Sequence, residues 1–285
     1  LGLYPESLIA GSRYHNFSDF FGFANPGKRE LEYEPLISLR RAELDASSLF
    51  YSIDVQDRIL HYPYHSYDYV IRFLTEAAQD PTVTAIHITL YRVAPHSRTV
   101  RALVGAVRNG KNVTAFVELK ARFNEEANTL WADELRNAGA NVVYSLPGLK
   151  VHCKMCLVTR VTAGRERLYA YLGSGNFNEV TAGIYTDHGL FTADRRITRD
   201  LRKVFDYLLD ERHPRRFDHL LVAPFNMRPR LTAMLDAEIQ NARAGMRASV
   251  ILKLNNLEDP PMIQKLRQAV EAGVEVKLIV RSICC

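Results

Sequence analysis

The chain has 285 residues, of which 47% are hydrophobic, and its formal net charge is +5. This length and hydrophobic content suffice for the core of one large or two ordinary domains, which excludes wholesale disorder. No apolar run is long enough to cross a bilayer, and four cysteines are too few for a disulfide framework, so we expect a protein of the reducing cytoplasm.

The basic residues are spread over predicted helices and loops rather than gathered in one stripe. This distribution favours a protein that handles anions over one that binds DNA, although a solvated surface explains most individual arginines. Residues 1–38 are rich in aromatic residues and glycine and show no regular period, so we interpret them as the end of a preceding domain and a linker. The chain starts at Leu1 and ends at Cys285 within a predicted element, which indicates a fragment of a longer protein.

A short strand and a loop are predicted over residues 58–66. Ser66 is predicted as the N-cap of a helix over residues 67–78. His61 and His65 lie in this region, but no carboxylate or cysteine is spaced to complete a metal site with them. We interpret both histidines as structural or as minor phosphate contacts.

From residue 83 the predicted strands and helices alternate. Strands are predicted at 83–91, 112–119 and 141–145, with helices at 97–107 and 124–138. This order implies a largely parallel sheet with right-handed crossovers and helices on its faces. Ligands bind at the carboxyl ends of such strands. Arg92 and Arg122 follow the first and second of these strands and are therefore candidate ligand contacts.

A Pro-Gly pair at 147–148 marks a turn before a predicted strand at 151–159. His152 and Lys154 are two residues apart, so they share one face at the start of this strand. Because they open their strand, it must run antiparallel to its neighbours to bring them to the edge where the arginines lie.

A second polar segment, residues 173–179, follows the apolar run 168–172 and again places two polar side chains, Asn176 and Asn178, two apart. A neutral histidine can attack phosphorus, a lysine can hold phosphate oxygens, and glycines let backbone N–H groups approach an anion. Together with the His-x-Lys segment, this spacing predicts phosphoryl transfer through a phosphohistidine at His152, with Lys154, Asn176 and Asn178 binding phosphate. An isolated histidine would more often be structural.

The C-terminal part predicts strands at 186–192 and 217–223 and helices at 195–209 and 229–242. The final segment, 249–280, then repeats the strand–helix–strand pattern of 85–119. The shift is about 163 residues, which indicates two homologous domains rather than a solenoid. We therefore divide the chain into 1–38, the end of a preceding head domain and linker, 39–219, a first catalytic domain, and 220–285, the start of a second.

The His-x-Lys segment and the Gly-Ser-Gly-Asn-Phe-Asn segment resemble the signature of the phospholipase D superfamily. The resemblance implies an α/β fold with a mixed sheet flanked by helices, and the start of a second homologous α/β domain. The superfamily has an aspartate where this chain has Thr159, which disfavours hydrolysis of phosphodiesters.

A longer set of motifs resembles the bacterial polyphosphate kinase family. These motifs occupy residues 13–17, 61–65, 91–94, 117–128, 147–154, 173–179, 185–187 and 252–256. The resemblance implies reversible transfer of the ATP γ-phosphate to polyphosphate through a phosphohistidine with Mg²⁺, by a protein with a head domain and two phospholipase D-like domains.

Position by position, His152 matches the phosphorylated histidine of this family. Arg92 and Arg122 match arginines associated with its magnesium–phosphate site. A guanidinium has no lone pair for a metal, so these arginines would clamp phosphate oxygens that Mg²⁺ also contacts. Tyr185 and Arg281 match contacts to ATP.

The resemblance also implies the partners: ATP and inorganic polyphosphate, no nucleic acid, and further copies of the full-length protein in a homo-oligomer. The expected location is the cytoplasm, including attachment to the inner face of the membrane. Two alternatives stay open, a phospholipase D-like phosphodiesterase and a non-catalytic module that binds polyanions. A chain without most of the second domain can be inactive on its own.

Overall fold

The computed structural model describes residues 27, 29–94, 96–118, 125–144, 150–210 and 216–285. The chain divides into two compact units, 1–37 and 38–285. In the first unit Arg29–Leu31 form a 3₁₀ turn. The part of the predicted head domain over residues 1–26 lies outside the described residues. All elements named below belong to the second unit.

The strands are β1 Arg58–Tyr62, β2 Val83–Leu90, β3 Asn112–Val117, β4 Asn141–Tyr144, β5 Lys154–Thr162, β6 Arg165–Gly173, β7 Asp187–Thr192, β8 Ser249–Leu254 and β9 Glu275–Val280. The α-helices are α1 Ala42–Asp45, α2 Leu49–Val55, α3 Asp68–Gln79, α4 Arg98–Arg108, α5 Glu125–Ala138, α6 Arg195–Leu209, α7 Met227–Arg243 and α8 Pro260–Glu271. None of the described helices combines the length and the apolar character that crossing a bilayer requires.

Seven strands form one mixed sheet in the order β1-β7-β6-β5-β2-β3-β4. Pairing is parallel between β2 and β3 and between β3 and β4, and antiparallel elsewhere. This confirms the predicted α/β class with a mixed sheet. Strand β5 pairs antiparallel with β2, with Ile88 opposite Cys156, which confirms the predicted direction. It begins at Lys154, so the prediction that His152 lies on this strand is wrong.

The central strand β5 separates two layers of the core. Cys156 and Val158 pack into the cluster that includes residues of α3, α4 and α5, whereas Met155 and Leu157 pack into the cluster that includes α6. Successive side chains of a strand point to opposite faces, so an uninterrupted apolar run serves a strand that is covered on both sides. The helices on the two faces thus fix the position of the strand that directly follows the segment with His152.

The prediction of a strand over 217–223 is wrong. Side chains, rather than a neighbouring strand, accept the hydrogen bonds of its backbone N–H groups. One carboxylate oxygen of Asp200 accepts hydrogen bonds from the backbone N–H groups of residues 218, 219 and 220 at 2.9, 2.7 and 3.1 Å. The amide oxygen of Asn226 accepts from the N–H of Val222 at 2.7 Å. Once these N–H groups are satisfied by side chains, the segment has no need of a strand partner.

Helices α3 and α6 begin with different caps. Helix α3 begins one residue later than predicted, with Tyr67 at its N-cap, so the assignment of Ser66 as N-cap is wrong. The Ser66 hydroxyl nevertheless accepts a hydrogen bond from the N–H of Asp68 at 3.2 Å. Asp194 caps α6, since its carboxylate accepts from the N–H of Arg196 at 2.8 Å.

The strand–helix–strand repeat is confirmed, because β8, α8 and β9 reproduce the arrangement of β2, α4 and β3 with parallel strands. After β3, the N–H of Glu118 donates to the carbonyl of Leu90 at 3.1 Å. After β9, the N–H of Arg281 donates to the carbonyl of Leu254 at the same distance, 3.1 Å. Glu118 and Arg281 therefore occupy equivalent positions at the ends of the two repeats.

Candidate active site

One edge of the seven-stranded sheet gathers the predicted site residues. Lys154, the first residue of β5, pairs with Gly173 at the end of β6, and Gly173 pairs in turn with Gly189 near the start of β7. This register brings the segment that contains His152 beside the loop after β6. The carboxyl ends of the parallel strands β2 and β3 meet at the same edge.

The ring of Tyr91, directly after β2, lies at the centre of the site, and Tyr91 is only 8% exposed. Three cations lie near its ring centroid: the guanidinium of Arg92 at 5.4 Å, the ammonium of Lys150 at 5.6 Å and that of Lys154 at 5.2 Å. The imidazole of His152 lies 5.1 Å from the same ring at an interplanar angle of 76°. Because aromatic faces attract cations, Tyr91 favours the close approach of these three like charges.

The imidazole of His152 is neutral at physiological pH. Loss of hydration, and then the positive charges of Lys154, Lys150 and Arg92, lower the pKa of His152 from 6.5 to about 4, whereas the carboxylate of Glu118 acts to raise it. The residue retains solvent-exposed surface, so the ring can be reached from outside. A neutral imidazole has a ring nitrogen lone pair available for nucleophilic attack.

Lys154 is buried beside this histidine, with 6% of its surface exposed. Its ammonium donates a hydrogen bond to the carbonyl of His152 at 2.5 Å. Burial is the main cause that lowers the pKa of Lys154 to about 8, with Arg92 and Lys150 adding to it and Asp187 opposing it. The ammonium is therefore charged at neutral pH and loses its proton under mildly alkaline conditions.

Glu118, directly after β3, holds the segment that precedes His152. It is 2% exposed, and its carboxylate accepts a hydrogen bond from the N–H of Val151 at 3.0 Å. Glu118 and Tyr91 lie within the family motifs, but the sequence alone predicted no role for either residue. A carboxylate directly after an apolar strand, at the edge where ligands bind, was the available signal for Glu118.

The loop after β6 is fixed to the start of β7. The Ser174 hydroxyl donates to the carboxylate of Asp187 at 2.7 Å and accepts from the N–H of His188 at 3.0 Å. A Cβ atom on Gly175 would lie 2.4 Å from the other Asp187 oxygen, so this close approach requires glycine. The negative charge of Asp187 in turn acts to raise the pKa of Lys154.

The two asparagines of this loop differ in their contacts. The amide oxygen of Asn178 accepts from the N–H groups of Val180 and Thr181 at 3.1 and 3.0 Å, so it caps the 3₁₀ turn Thr181–Gly183. The amide oxygen of Asn176 is buried and has no hydrogen-bond partner among the described residues. Asn176 thus has an amide oxygen without a described partner, whereas the amide oxygen of Asn178 is engaged.

The loop also contacts the first turn of α4. The carboxylate of Glu179 accepts from the N–H of Arg98 at 2.6 Å and lies 3.3 Å from the Ser97 hydroxyl. A carboxylate at a helix N-terminus satisfies free N–H groups and complements the helix dipole. Glu179 therefore fixes the loop to the helix that follows Arg92 in the chain.

The two residues predicted to contact ATP lie against each other. The guanidinium of Arg281, after β9, is 4.8 Å from the ring centroid of Tyr185, before β7. Its Nε and Nη2 atoms donate to the amide oxygen of Asn255 at 3.0 and 2.7 Å. Nearby, the ammonium of Lys253 donates to the Thr186 hydroxyl at 3.0 Å. The second repeat thus contributes directly to this edge of the first sheet.

The structure brings His152, Lys154 and Arg92 together around Tyr91 and places Tyr185 against Arg281. Arg122 lies outside the described residues. The described residues contain no group of three or more His, Cys, Asp or Glu side chains that could hold a metal ion. The cationic cluster fits the phosphates of a nucleotide–metal complex better than it fits a bare metal ion.

The fold and the site define an α/β protein that presents a neutral histidine within a cluster of cations at its strand ends. The phosphatidylserine synthase of Haemophilus influenzae has a similar fold, with a TM-score of 0.52 over 79% of this chain and 61% of that one at 11% identity. The polyphosphate kinase of Porphyromonas gingivalis is much more similar: its TM-score is 0.85 at 43% identity, over 97% of this chain and 46% of that one.

Sequence comparison identifies the family. The family descriptions "Polyphosphate kinase C-terminal domain 1" and "Polyphosphate kinase C-terminal domain 2" match residues 48–214 and 220–285. The polyphosphate kinases of Vibrio vulnificus and Escherichia coli are each 46% identical over 98% of this chain. The chain belongs to the polyphosphate kinase family. It spans 40% and 41% of the length of these two relatives.

Proposed function

We propose that the protein containing this chain is a polyphosphate kinase that transfers the γ-phosphate of ATP reversibly to inorganic polyphosphate through a phosphohistidine at His152. The observation that carries the proposal is the neutral, accessible imidazole of His152 beside Arg92, Lys150 and Lys154. Membership of the family supports it, since the relatives named above are polyphosphate kinases.

In the first half-reaction, a ring nitrogen lone pair of His152 forms a bond to the γ-phosphorus. The bond from that phosphorus to the bridging oxygen breaks, and ADP leaves with the electron pair. In the second half-reaction, a terminal oxygen of polyphosphate attacks the phosphorus, and the N–P bond breaks to restore the imidazole. Both steps are reversible because each exchanges one high-energy phosphoryl bond for another.

The cations stabilise the charge of the transferred group. In the transition state this charge spreads over three equatorial oxygens. Arg92 offers a fork of N–H donors, whereas Lys150 and Lys154 act as point charges. We propose Arg122 as a second arginine clamp on the same phosphates. Such preorganised donors need little rearrangement as the reaction proceeds.

The nucleotide and the phosphate chain would be held by neighbouring groups at the same edge. We propose that Tyr185 and Arg281 contact ATP, and that Asn176 and Asn178 bind phosphate. Support comes from the unpartnered amide oxygen position of Asn176 and from the Tyr185–Arg281 contact. For Asn178 the NH₂ group would be the binding atom, since its amide oxygen caps the following turn.

Mg²⁺ would be bound by the nucleotide phosphates rather than by a protein cage. The carboxylates of Glu118 and Asp187 are both engaged, by the N–H of Val151 and by the Ser174 hydroxyl. When bound, Mg²⁺ would neutralise phosphate oxygens.

We also propose the domain division 1–38, 39–219 and 220–285, for which the repeated strand–helix–strand unit is the support. The proposed partners are ATP, inorganic polyphosphate and further copies of the full-length protein, without nucleic acid. The proposed location is the cytoplasm, including the inner face of the membrane.

The proposal is tested by incubating the full-length protein with Mg²⁺, ATP and a short polyphosphate primer. Growth of the primer on a gel, and formation of ATP from ADP and polyphosphate in the reverse assay, are the expected results, and both should be absent in the H152A variant. An assay of the same protein on a phosphodiester substrate tests the alternative that it is a phosphodiesterase. Thr159 lies buried in β5 and offers no carboxylate for that chemistry, so we expect no diester cleavage.

A further inference from the structure

The Tyr91 ring lies within 5.2 to 5.6 Å of three positive charges, those of Arg92, Lys150 and Lys154. Arg92 and Lys150 repel the ammonium of Lys154, since both act to lower its pKa. Lys154 donates its hydrogen bond to a backbone carbonyl rather than to a carboxylate. The ring is therefore a component of the site that favours the clustering itself, because its face attracts all three cations.

The second role of the ring concerns the direction of the imidazole. His152 precedes β5 and belongs to no strand or helix, so its side chain is not fixed by regular backbone pairing. The Tyr91 ring, packed at 8% exposure directly after β2, meets the imidazole at 5.1 Å and 76°. Edge-to-face packing of this kind restricts rotation of the smaller ring.

Comparison with another tyrosine of the same sheet separates this arrangement from ordinary packing. Tyr169 on β6 also carries two guanidinium groups, Arg160 at 5.5 Å and Arg167 at 5.7 Å. Those two arginines form ion pairs with Asp80 and Asp54. Tyr169 and its cations thus belong to a set of ion pairs, and Tyr91 differs in that its ring also contacts an imidazole.

We infer that Tyr91 is a positioning residue, whose ring aligns His152 and holds Arg92, Lys150 and Lys154 at the spacing that a terminal phosphoryl group requires. The inference rests on the function proposed above and adds a residue to it. The ring rather than the hydroxyl does this, so phenylalanine should replace Tyr91 and an aliphatic side chain should not.

The experiment compares the full-length wild-type protein with Y91F, Y91L and the matched control Y169L. The first readout is the single-turnover rate of His152 phosphorylation by ATP, with the KM for ATP measured separately. The second is the pH dependence of His152 modification by diethyl pyrocarbonate, followed by mass spectrometry. That reagent attacks neutral imidazole, so the profile gives the pKa of His152 whether or not the protein is active.

For Y91L we expect a fall of about ten-fold or more in the phosphorylation rate, as lost alignment produces, and a rise of the His152 pKa toward 6.5 as the cations of Lys150, Lys154 and Arg92 separate and water enters. Glu118 also faces the imidazole and is unchanged in every variant. Y91F should stay within about three-fold of wild type, because it keeps the ring face. Y169L should lose stability but keep both the rate and the pKa.

A Y91L protein with the wild-type rate and the wild-type His152 pKa would overturn the inference. Equal impairment of Y91F and Y91L would also overturn it, since the hydroxyl would then be the active group. Absence of phosphorylation in the wild-type protein would instead contradict the proposed function. In that case the pH profile of His152 modification alone tests the role of Tyr91. A His152 pKa that changes in Y91L but not in Y91F or Y169L then supports the positioning role.

Discussion

The guanidinium of Arg281, directly after β9, lies 4.8 Å from the ring centroid of Tyr185, which precedes β7 of the seven-stranded sheet. Asn255 accepts two hydrogen bonds from this guanidinium, so its direction is fixed from within the second repeat. A planar cation on an aromatic ring is well suited to a nucleotide, because the ring offers stacking and the cation offers donors to phosphate.

Removing the fixed guanidinium should weaken nucleotide binding. For R281K we expect the KM for ATP to rise by about ten-fold, because lysine replaces neither the fork nor its stacking on Tyr185. N255A should raise the KM in the same direction by a smaller factor, since Arg281 remains but is no longer held. Steady-state kinetics of the full-length protein measure both, with R267K on the exposed surface of α8 as the control. Unchanged KM values in R281K and N255A would contradict the role.

The pH dependence of kcat/KM should show two limits set by the site. Below a pKa of about 4 His152 gains a proton and loses its nucleophilic lone pair, and above a pKa of about 8 Lys154 loses its positive charge. We therefore expect a plateau between these values, because kcat/KM reports groups of the free enzyme. In K154R the alkaline limit should move upward, since a guanidinium stays protonated. An acid limit near pH 6.5 would show that the pKa of His152 is not lowered in the folded protein.

Gly175 has a testable steric role. A Cβ at this position would come within 2.4 Å of an Asp187 oxygen, so G175A must displace the carboxylate that holds Ser174. We expect a loss of activity of about ten-fold or more as the loop shifts. G183A is the matched control in the 3₁₀ turn of the same segment, because a Cβ there meets nothing within 4 Å. Equal activities of the two variants would contradict the steric argument.

The two asparagines of this loop should respond differently to alanine. N178A removes the cap of the 3₁₀ turn and should lower the free energy of unfolding by about 1 kcal/mol, as lost caps do elsewhere. The amide oxygen of Asn176 has no described hydrogen-bond partner that N176A could remove. For N176A we therefore expect unchanged stability and a higher KM for polyphosphate. Denaturant unfolding and steady-state kinetics distinguish the two effects. A stability loss in N176A larger than that in N178A would contradict these assignments.

Much of this fold could be predicted from the sequence, because apolar runs and the turn residues that end them are local signals. The His-x-Lys segment directly before an apolar run, with arginines at the ends of other strands, was sufficient to predict that this strand runs antiparallel, although β5 begins only at Lys154. The repeat at 249–280 was also visible, since a strand–helix–strand unit has a pattern that survives substitution.

Other parts depended on contacts between distant residues. The segment 217–223 has the composition of a strand, but the carboxylate of Asp200 and the amide of Asn226 replace a strand partner. Tyr91 reads as the last apolar residue of a strand, and only the assembled sheet shows that cations from two segments surround it. Long-range side-chain contacts of this kind leave no local pattern in the sequence.

The central claim is that the phosphoryl group is transferred through His152, and it is tested most directly by locating that group. The full-length protein is incubated with Mg²⁺ and [γ-³²P]ATP without polyphosphate, digested, and analysed for label on the peptide that contains His152. We predict label that is stable to alkali, labile to acid and absent in H152Q, and that is released when polyphosphate or ADP is added. Acid-stable label, or label that persists unchanged in H152Q, would contradict the account.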